Sequence, residues 1–303
     1  MRSLLFVPGD DERKIAKGLA CAADALILDL EDAVAPARKA VARELCQSTL
    51  LAANLPKRLL VRINALGSGE AEADLEAVVA ARPYGIVLPK CGSGADVTAL
   101  ARLLDILEAG AGIAPASIRI LPIVTETAAS LFSLGSYANP ASPRLCGMMW
   151  GGEDLAADLG ALANRDACGT YTAPYQLART LCLAGAIAAG VDAVDSVYTD
   201  FRNQDGLHAE AVLGVRDGFS AKAAIHPDQI GAIHAAFTPP ATDVEYAVRV
   251  VSAFSAAGSA GVVSMDGRML DRPHYRGALR VLGRAQVAGM ALPNSVNSLL
   301  ENV

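Results

Sequence analysis

The chain has 303 residues, of which 52% are hydrophobic, 5% are aromatic and 19% are charged. This composition excludes an intrinsically disordered chain and is sufficient to bury a large core. The formal net charge is -6, with 26 Lys+Arg against 32 Asp+Glu and no basic block, so nucleic acid is not expected as a partner.

No targeting or membrane segment is expected from the sequence. The apolar run at residues 3–9 is too short for the core of a signal peptide. No stretch approaches the roughly 20 apolar residues that span a bilayer, so no membrane partner is expected. The six cysteines form no C-x-x-C pair, which argues against a zinc ribbon. We therefore expect a cytoplasmic protein.

Short apolar runs alternate with Ala- and Leu-rich stretches along the chain. The predicted strands are 3–9, 25–32, 59–64, 85–90, 118–126, 145–154, 193–200 and 221–227. Helices are predicted between them, among others at 37–53, 70–81, 95–109 and 176–189. Eight such units predict an α/β fold, a (β/α)8 TIM barrel. An open, doubly wound sheet is the alternative, because periodicity cannot show that a sheet closes.

A strong break at Thr238-Pro239-Pro240-Ala241 divides the chain. We predict a catalytic barrel domain at 1–237 and a C-terminal helical extension at 238–303. The extension has two predicted helices, 244–257 and 275–287, and a polar, turn-rich segment at 264–273 between them. An appendage of this length is expected to cover the site or to pack on a neighbouring subunit.

Ionisable residues collect at the predicted strand ends, which is where the active site of a TIM barrel lies. Seven of the eight ends carry one, and the end residues are Asp29, Glu31, Asp32, Arg62, Asn64, Lys90, Glu126, Glu153, Asp154, Asp200 and His226. Scattered surface charge would not sort in this way. Acids at such junctions also cap the following helix, so some of these residues are expected to be structural.

Glu126 and Asp154 end consecutive predicted strands and could project into one cavity. Two carboxylates, waters and a bidentate substrate suit octahedral Mg²⁺. The glycines Gly151 and Gly152 permit a tight turn and the close approach of a ligand to the backbone. The alternative makes Glu126 a first-turn acid and Asp154 the cap of a helix that starts at Leu155.

Arg62 and Lys90 are cations next to apolar strands. The Arg62 guanidinium needs an anionic partner and its shape matches a carboxylate, of a substrate or of Asp29 or Glu31 on the adjacent strand. Lys90 could form a Schiff base, but the nearby carboxylates favour a charged, paired lysine. Zinc hydrolysis and a Ser-His-Asp triad lack support, because no H-x-x-x-H pair and no G-x-S-x-G turn occur.

Ordered motifs over nearly the whole chain resemble those of the HpcH/HpaI aldolase/citrate lyase superfamily, in its citrate lyase β-subunit-like branch. They are LFVPG at 5–9, LDLEDAV at 28–34, VRIN at 61–64, LPK at 88–90, ET at 126–127, GGEDL at 151–155, DSVYTD at 195–200, KAAIHP at 222–227 and GRMLDRP at 267–273. No single tetrapeptide is decisive, but the ordered set is highly specific.

The resemblance implies a Mg²⁺-dependent carbon–carbon lyase that cleaves or forms a 3-hydroxyacyl-CoA thioester of the malyl-CoA or citramalyl-CoA type. The other partners are acetyl-CoA and a 2-oxo acid. It implies that Glu126 and Asp154 hold Mg²⁺ and that Arg62 binds the oxo-acid oxygens. Asp271 corresponds to a carboxylate that reaches a neighbouring subunit's site, in a homotrimer or homohexamer. Its alternative role is to cap a helix before Arg272-Pro273.

The predicted site therefore has three sets of residues: Arg62, Asp271, Glu31 and Asp29 as catalytic, Arg62, Lys90, Gly152 and Glu153 as substrate-binding, and Glu126 and Asp154 as metal-binding. Two positions depart from the family pattern. Gly92 stands where many relatives have an acidic residue, and Gln176 stands where an arginine is more usual; both bear on substrate choice.

Three other functions compete with the lyase. One is a citrate lyase β subunit that acts on a citryl thioester of an acyl carrier protein. Another is a malyl-CoA thioesterase, with hydrolysis following or replacing cleavage. The last is a non-catalytic paralogue, against which the presence of Arg62, Asp271 and both metal candidates argues.

Overall fold

The computed structural model describes residues 1–52, 57–138, 142–258 and 261–300. Their contacts divide the chain into two units, Ser3–Ile233 together with Met1, and His234–Val303 together with Arg2. No helix among the described residues is both long and apolar enough to cross a membrane.

The first unit is built on eight parallel strands. They are β1 Ser3–Pro8, β2 Ala25–Asp29, β3 Arg58–Arg62, β4 Gly85–Leu88, β5 Arg119–Pro122, β6 Gly147–Met149, β7 Asp192–Asp195 and β8 Ala221–Ala224. Their order is β5-β4-β3-β2-β1-β8-β7-β6, and isolated parallel bridges Ile120↔Leu145 and Ile123↔Met149 join the two end strands. The sheet is thus a nearly closed barrel, which confirms the TIM-barrel prediction over the open sheet.

Helices follow the strands and cover the outside of the barrel. They are α1 Glu12–Ala20, α2 Lys39–Leu51, α3 Ala71–Val78, α4 Gly94–Gly110, α5 Glu153–Asp158, α6 Ala173–Ala189, α7 Gln204–Asp217 and α8 Gln229–Phe237, with a 3₁₀ segment Ala129–Ala138 after β5. Each of the four predicted helices named above is present, but the predicted end at Ala53 lies outside the described residues.

Small aliphatic residues fill the barrel interior. The inner cluster contains Leu4, Ala25, Ile27, Leu60, Val87, Leu121, Ile123, Met149, Val194, Ala221 and Ala223. Because side chains alternate along a strand, each strand gives every second residue to this cluster. The low aromatic content of the sequence is thus compatible with a filled barrel.

The strands are shorter than predicted, and this moves some strand-end residues into loops. The strand predicted at 193–200 ends at Asp195, so Asp200 is an exposed loop residue and not a strand end. The strand predicted at 145–154 ends at Met149, which leaves Gly151 and Gly152 in the turn before α5. Residues with a preference for strands, Trp150 after Met149 and Val197 and Tyr198 after Asp195, continue past the last register pair, so composition could not locate these ends.

The second unit contains α9 Ala241–Ala256, a hairpin of β9 Val262–Met265 and β10 Arg268–Asp271, α10 Arg272–Val287 and α11 Asn294–Leu300. The hairpin corrects the prediction of a turn-rich segment at 264–273. Its two-residue turn, Asp266-Gly267, has positive φ at both positions, 52° and 73°. Asp-Gly is a strong signal for this type of tight turn, so the sequence did carry the information.

Candidate active site

A cavity of about 340 Å³ opens at the C-terminal ends of the barrel strands. Its apolar lining is Phe6, Pro8, Ala33, Ile123, Met149, Trp150, Val197 and Ile225, and its polar lining is Asp29, Asp32, Arg62, Glu126, Glu153, Asp154 and Ser196. Gly151 and Gly152 complete the wall. Most of the predicted strand-end residues therefore meet in one place.

Arg62 is held rigidly at the wall of this cavity. The β2–β3 register places Asp29 opposite Arg62, and Asp29 accepts hydrogen bonds from Arg62 Nε at 2.8 Å and Nη2 at 2.6 Å. Glu31 Oε2 lies 2.9 Å from Nη1, and the guanidinium lies 4.9 Å from the centre of the Phe6 ring. Burial lowers the pKa of Arg62, but Asp29 and Glu31 raise it well above its usual value. The side chain is a permanently charged, oriented cation.

Lys90 is paired with three carboxylates. Its Nζ donates to Glu31 Oε1 and, at 3.1 Å, to Asp32 Oδ2, and lies 3.6 Å from Asp154 Oδ1. Burial lowers the pKa of Lys90, but the hydrogen bond to Glu31 and the neighbouring charges raise it overall. The amine is therefore protonated, as the paired-lysine interpretation expected, and is not poised as a Schiff-base nucleophile.

Glu126 follows β5 and is almost completely buried, with 3% of its surface exposed. Its Oε2 accepts a hydrogen bond from the backbone N–H of Lys90. Burial raises its pKa to about 8, and the backbone hydrogen bond only partly opposes this. A Cβ at Gly151 would lie 2.8 Å from Glu126 Cγ, so the absence of a side chain at Gly151 is what lets Glu126 occupy this position.

The carboxylates fit a divalent cation. Mg²⁺ is bound in proteins by one or two carboxylates, with water and substrate oxygens as the other ligands. Burial raises the pKa of Glu126 more than the charge of Arg62 lowers it, so a cation beside Glu126 would stabilise its charged form. Asp154, in the first turn of α5, is 35% exposed at the cavity. Within the described parts of the chain, no group of three or more His, Cys, Asp or Glu residues forms a protein-only metal site.

Two further predicted site residues, Glu153 and Asp271, have partners outside the group formed by Asp29, Glu31, Arg62 and Lys90. Glu153 lines the cavity, but its Oε1 accepts a hydrogen bond from Asn164 Nδ2 at 2.8 Å. Asp271 lies in the second unit, where it caps α10 and its Oδ1 lies 2.5 Å from His274 Nδ1. The side chain of Asp271 is 52% exposed, and the hydrogen bond to His274 lowers its pKa.

The sequence prediction missed several residues that support the cavity. Lys39 Nζ donates to the backbone oxygens of Leu30 and Glu31 and so fixes the chain after β2. Asp195 and Lys222 are register partners on β7 and β8, and both are fully buried. A charged residue within an otherwise apolar strand was the available signal, since such a residue needs a partner.

Comparison with known proteins identifies the family of the chain. The family model for HpcH/HpaI aldolase/citrate lyase matches residues 2–227. The chain is 37% identical over 288 residues to a (3S)-malyl-CoA thioesterase of Cereibacter sphaeroides, covering 94% of each chain.

Two solved structures from Mycobacterium tuberculosis are also similar. One is the protein CitE in complex with magnesium, acetoacetate and coenzyme A (TM-score 0.75, 35% identity, 94% of this chain and 98% of that chain). The other is a citrate lyase beta subunit complexed with oxaloacetate and magnesium (TM-score 0.67, 36% identity, 78% of this chain and 96% of that chain). With the matched family model and these relatives, the chain belongs to the HpcH/HpaI aldolase/citrate lyase family.

Proposed function

We propose that the protein is a Mg²⁺-dependent lyase that cleaves or forms a 3-hydroxyacyl-CoA thioester of the malyl-CoA or citramalyl-CoA type, with acetyl-CoA and a 2-oxo acid as partners. The observation that carries this proposal is the largely buried, ion-paired Arg62 guanidinium on the wall of a cavity that also holds Glu126 and Asp154. Asp29 engages Nε and one Nη2 hydrogen of Arg62, and Glu31 lies against Nη1, which leaves one hydrogen on Nη1 and one on Nη2 for an anion.

The residues have distinct roles in this proposal. Asp29 orients Arg62, and Arg62 binds the oxygens of the oxo acid and stabilises the charge that develops on them during cleavage. Glu126 and Asp154 would hold Mg²⁺, which would supply Lewis-acid stabilisation of negative charge at the site. Glu31 and Lys90 form an ion pair beside the proposed metal ligands. The Gly152 backbone and Glu153 lie on the cavity wall and contact the substrate.

Asp271 is proposed to serve the site of a neighbouring subunit as acid or base at the acetyl methyl group. Its half-exposed side chain and lowered pKa support this, because the group is accessible and ionised. The proposal requires an oligomer, for which we expect a homotrimer or homohexamer.

The charge of the cavity favours an oxo acid with a single carboxylate. Five carboxylates line the cavity, at Asp29, Asp32, Glu126, Glu153 and Asp154, against the cation Arg62 among the described lining residues, and the Glu31–Lys90 pair beside the cavity adds one charge of each sign. A bound Mg²⁺ reduces this excess but does not remove it, so a second substrate carboxylate would meet repulsion. Glyoxylate and pyruvate have one carboxylate, whereas oxaloacetate has two.

The competing functions remain testable outcomes. The similarity to a (3S)-malyl-CoA thioesterase favours hydrolysis as the second candidate. The oxaloacetate in the related citrate lyase beta subunit makes a citryl thioester the other alternative.

The test is turnover by the purified protein with Mg²⁺. Acetyl-CoA and propionyl-CoA are incubated with glyoxylate, pyruvate or oxaloacetate, and the products are identified by mass spectrometry. We expect condensation with glyoxylate or pyruvate and at least tenfold less with oxaloacetate. Free malate as the main product would instead establish the thioesterase, and activity confined to a carrier-protein thioester would establish the citrate lyase subunit.

The metal assignment is tested separately. Glu126→Gln and Asp154→Asn each keep the side-chain shape and remove a charge, so we expect folded proteins without Mg²⁺-dependent turnover. The matched control is Asp158→Asn in the same helix α5 as Asp154, whose carboxylate accepts from the Ala128 N–H and does not line the cavity. Near wild-type activity in either of the first two variants would refute the assignment.

A further inference from the structure

The indole of Trp150 packs against the Gly151–Gly152 turn. Glu126, one proposed metal ligand, packs against the same turn, and Asp154, the other, follows it in the chain. Trp150 is the single tryptophan of the chain and is 1% exposed. A Cβ at Gly152 would lie 3.0 Å from its Cζ3 atom, and a Cβ at Gly151 would lie 2.8 Å from Glu126 Cγ. The turn is therefore packed between the indole and Glu126, and it leads directly to Asp154.

Asp195 holds the indole from behind. Its Oδ1 accepts a hydrogen bond from Trp150 Nε1 at 2.6 Å, and also from Arg179 Nε and from the Ser196 N–H, both at 3.1 Å. Burial raises the pKa of Asp195, but the charges of Lys222 and Arg179 lower it below its usual value. The acceptor is thus an ionised carboxylate, which forms stronger hydrogen bonds than a neutral group.

The indole is held at its other edge by a second set of contacts. The ring of Tyr171 meets it edge-to-face with centroids 4.9 Å apart, and Arg165 lies 3.6 Å above the Tyr171 ring. Arg165 pairs with Glu210 at 2.6 Å, and Glu210 pairs with Lys222 at 2.9 Å. Lys222 lies 3.4 Å from Asp195, so the contacts close into a ring.

We propose that Asp195 is a positioning residue that acts through Trp150: it fixes the indole, and the indole fixes the Gly151–Gly152 turn that places Glu126 relative to Asp154. The assignment of Glu126 and Asp154 as metal ligands rests on the proposed function. A buried network of this kind is not needed for stability alone, because apolar side chains of similar size often stabilise a core equally well. What it adds is one defined orientation for the indole.

Trp150→Phe is the main test, because it keeps an aromatic ring and removes the Nε1–H donor. Asp195 keeps its bonds from Arg179 and Ser196, so we expect the variant to fold. The Mg²⁺ concentration for half-maximal activity should rise about tenfold and kcat/KM for the oxo acid should fall about 10- to 100-fold, as expected for ligands displaced by a fraction of an ångström to 1 Å. KM for the thioester should stay within about twofold.

The matched control is Phe219→Leu. Phe219 is a buried aromatic residue whose ring centre lies 4.5 Å from Arg179 Cζ, and it is not among the atoms nearest to a Cβ at Gly151 or Gly152. A purely structural role for the network predicts that both variants lose stability and that neither changes the kinetic constants of the folded enzyme. Kinetic constants of Trp150→Phe within twofold of wild type, or an equal kinetic loss in Phe219→Leu, would overturn the proposal.

Asp195 itself is tested with Asp195→Asn, which keeps Trp150 as the only tryptophan, so that excitation beyond the tyrosine absorption reports on this residue alone. We expect its emission maximum to move to longer wavelength and the Mg²⁺ requirement to rise as in Trp150→Phe. If the uncompensated Lys222 and Arg179 charges prevent folding, Asp195→Asn combined with Lys222→Met restores the charge balance. An unchanged emission spectrum together with an unchanged Mg²⁺ requirement would contradict the role of Asp195.

Calorimetric titration with Mg²⁺ and pyruvate separates this inference from the proposed function. If wild type binds both but turns over no thioester, the lyase proposal fails, and weaker Mg²⁺ binding by Trp150→Phe still supports the positioning role. If wild type binds no Mg²⁺, both proposals fail.

Discussion

Gly151→Ala is the sharpest single test of the site geometry. The new Cβ would lie 2.8 Å from Glu126 Cγ and 3.2 Å from Ile123 Cγ2. Gly151 is not among the residues with positive φ, so the substitution adds a steric conflict and not backbone strain. Carbon atoms in contact rest about 3.5–4.0 Å apart, so Glu126 must move by about 1 Å. Cγ is close to the root of the side chain, and rotation of the carboxylate cannot relieve the conflict.

The expected effect follows from this displacement. A misplacement of about 1 Å in a catalytic group costs about 100-fold in rate, and overpacking costs about 1–3 kcal/mol of stability. We expect kcat/KM with Mg²⁺ and the oxo acid to fall about 100-fold while the protein stays folded. The measurement is steady-state kinetics together with a thermal unfolding curve.

Gly231→Ala in α8 is the control, because a Cβ there meets nothing within 4 Å. It should keep wild-type kinetic constants and gain about 0.5–1 kcal/mol of stability from the better helix former. A folded Gly151→Ala variant with kcat/KM within threefold of wild type would refute the geometric reasoning.

Three further outcomes are expected. In a 1:1 mixture of Asp271→Asn and Arg62→Ala subunits, about a quarter of shared sites would combine an intact Arg62 with an intact Asp271 of the neighbouring subunit. Activity should therefore reappear. Verified mixed oligomers without activity would exclude a shared site. Glu108→Gln should cost about 3 kcal/mol of unfolding free energy in chemical denaturation, because the buried Arg144 then keeps only the exposed Asp105 as a carboxylate partner. The kinetic constants should not change, and a loss below about 1 kcal/mol would show that the Glu108–Arg144 pair is weak. Burial raises the pKa of Glu108, but Arg144 lowers it to about 2, so this pair stabilises the fold above about pH 4.5 and the stability is lost as the pH falls toward 2; a flat pH dependence of stability over that range would contradict the assignment.

Much of the fold followed from the sequence because its signals are local. Each apolar run and the charged residue after it could be recognised separately, and a parallel barrel brings the C-terminal strand ends together. Asp29, Arg62, Glu126 and Asp154 could therefore be assigned to one cavity without knowledge of their contacts.

What the sequence could not provide was the pairing between distant residues. Arg62 had a substrate carboxylate, Asp29 and Glu31 as possible partners, and the β2–β3 register decides for Asp29 as its bidentate partner. The bond between Trp150 and Asp195 depends on neighbouring strands and the rotation of one indole. Such contacts are tertiary, and no periodicity in the chain encodes them.

Among the described residues, two isolated bridges, Ile120↔Leu145 and Ile123↔Met149, join β5 and β6, whereas β1 and β2 share a continuous ladder of five register pairs. The backbone hydrogen bonds that cross this seam include Ile120 N to Arg144 O, Cys146 N to Ile120 O and Val124 N to Met149 O. The chain on one side leads to Glu126 and on the other to Asp154. Amide hydrogens along this seam should therefore exchange with deuterium sooner than those between β1 and β2. A ligand bound by both Glu126 and Asp154 would connect the two sides of the β5–β6 seam. Ligand binding and closure of the barrel at this seam are then thermodynamically linked.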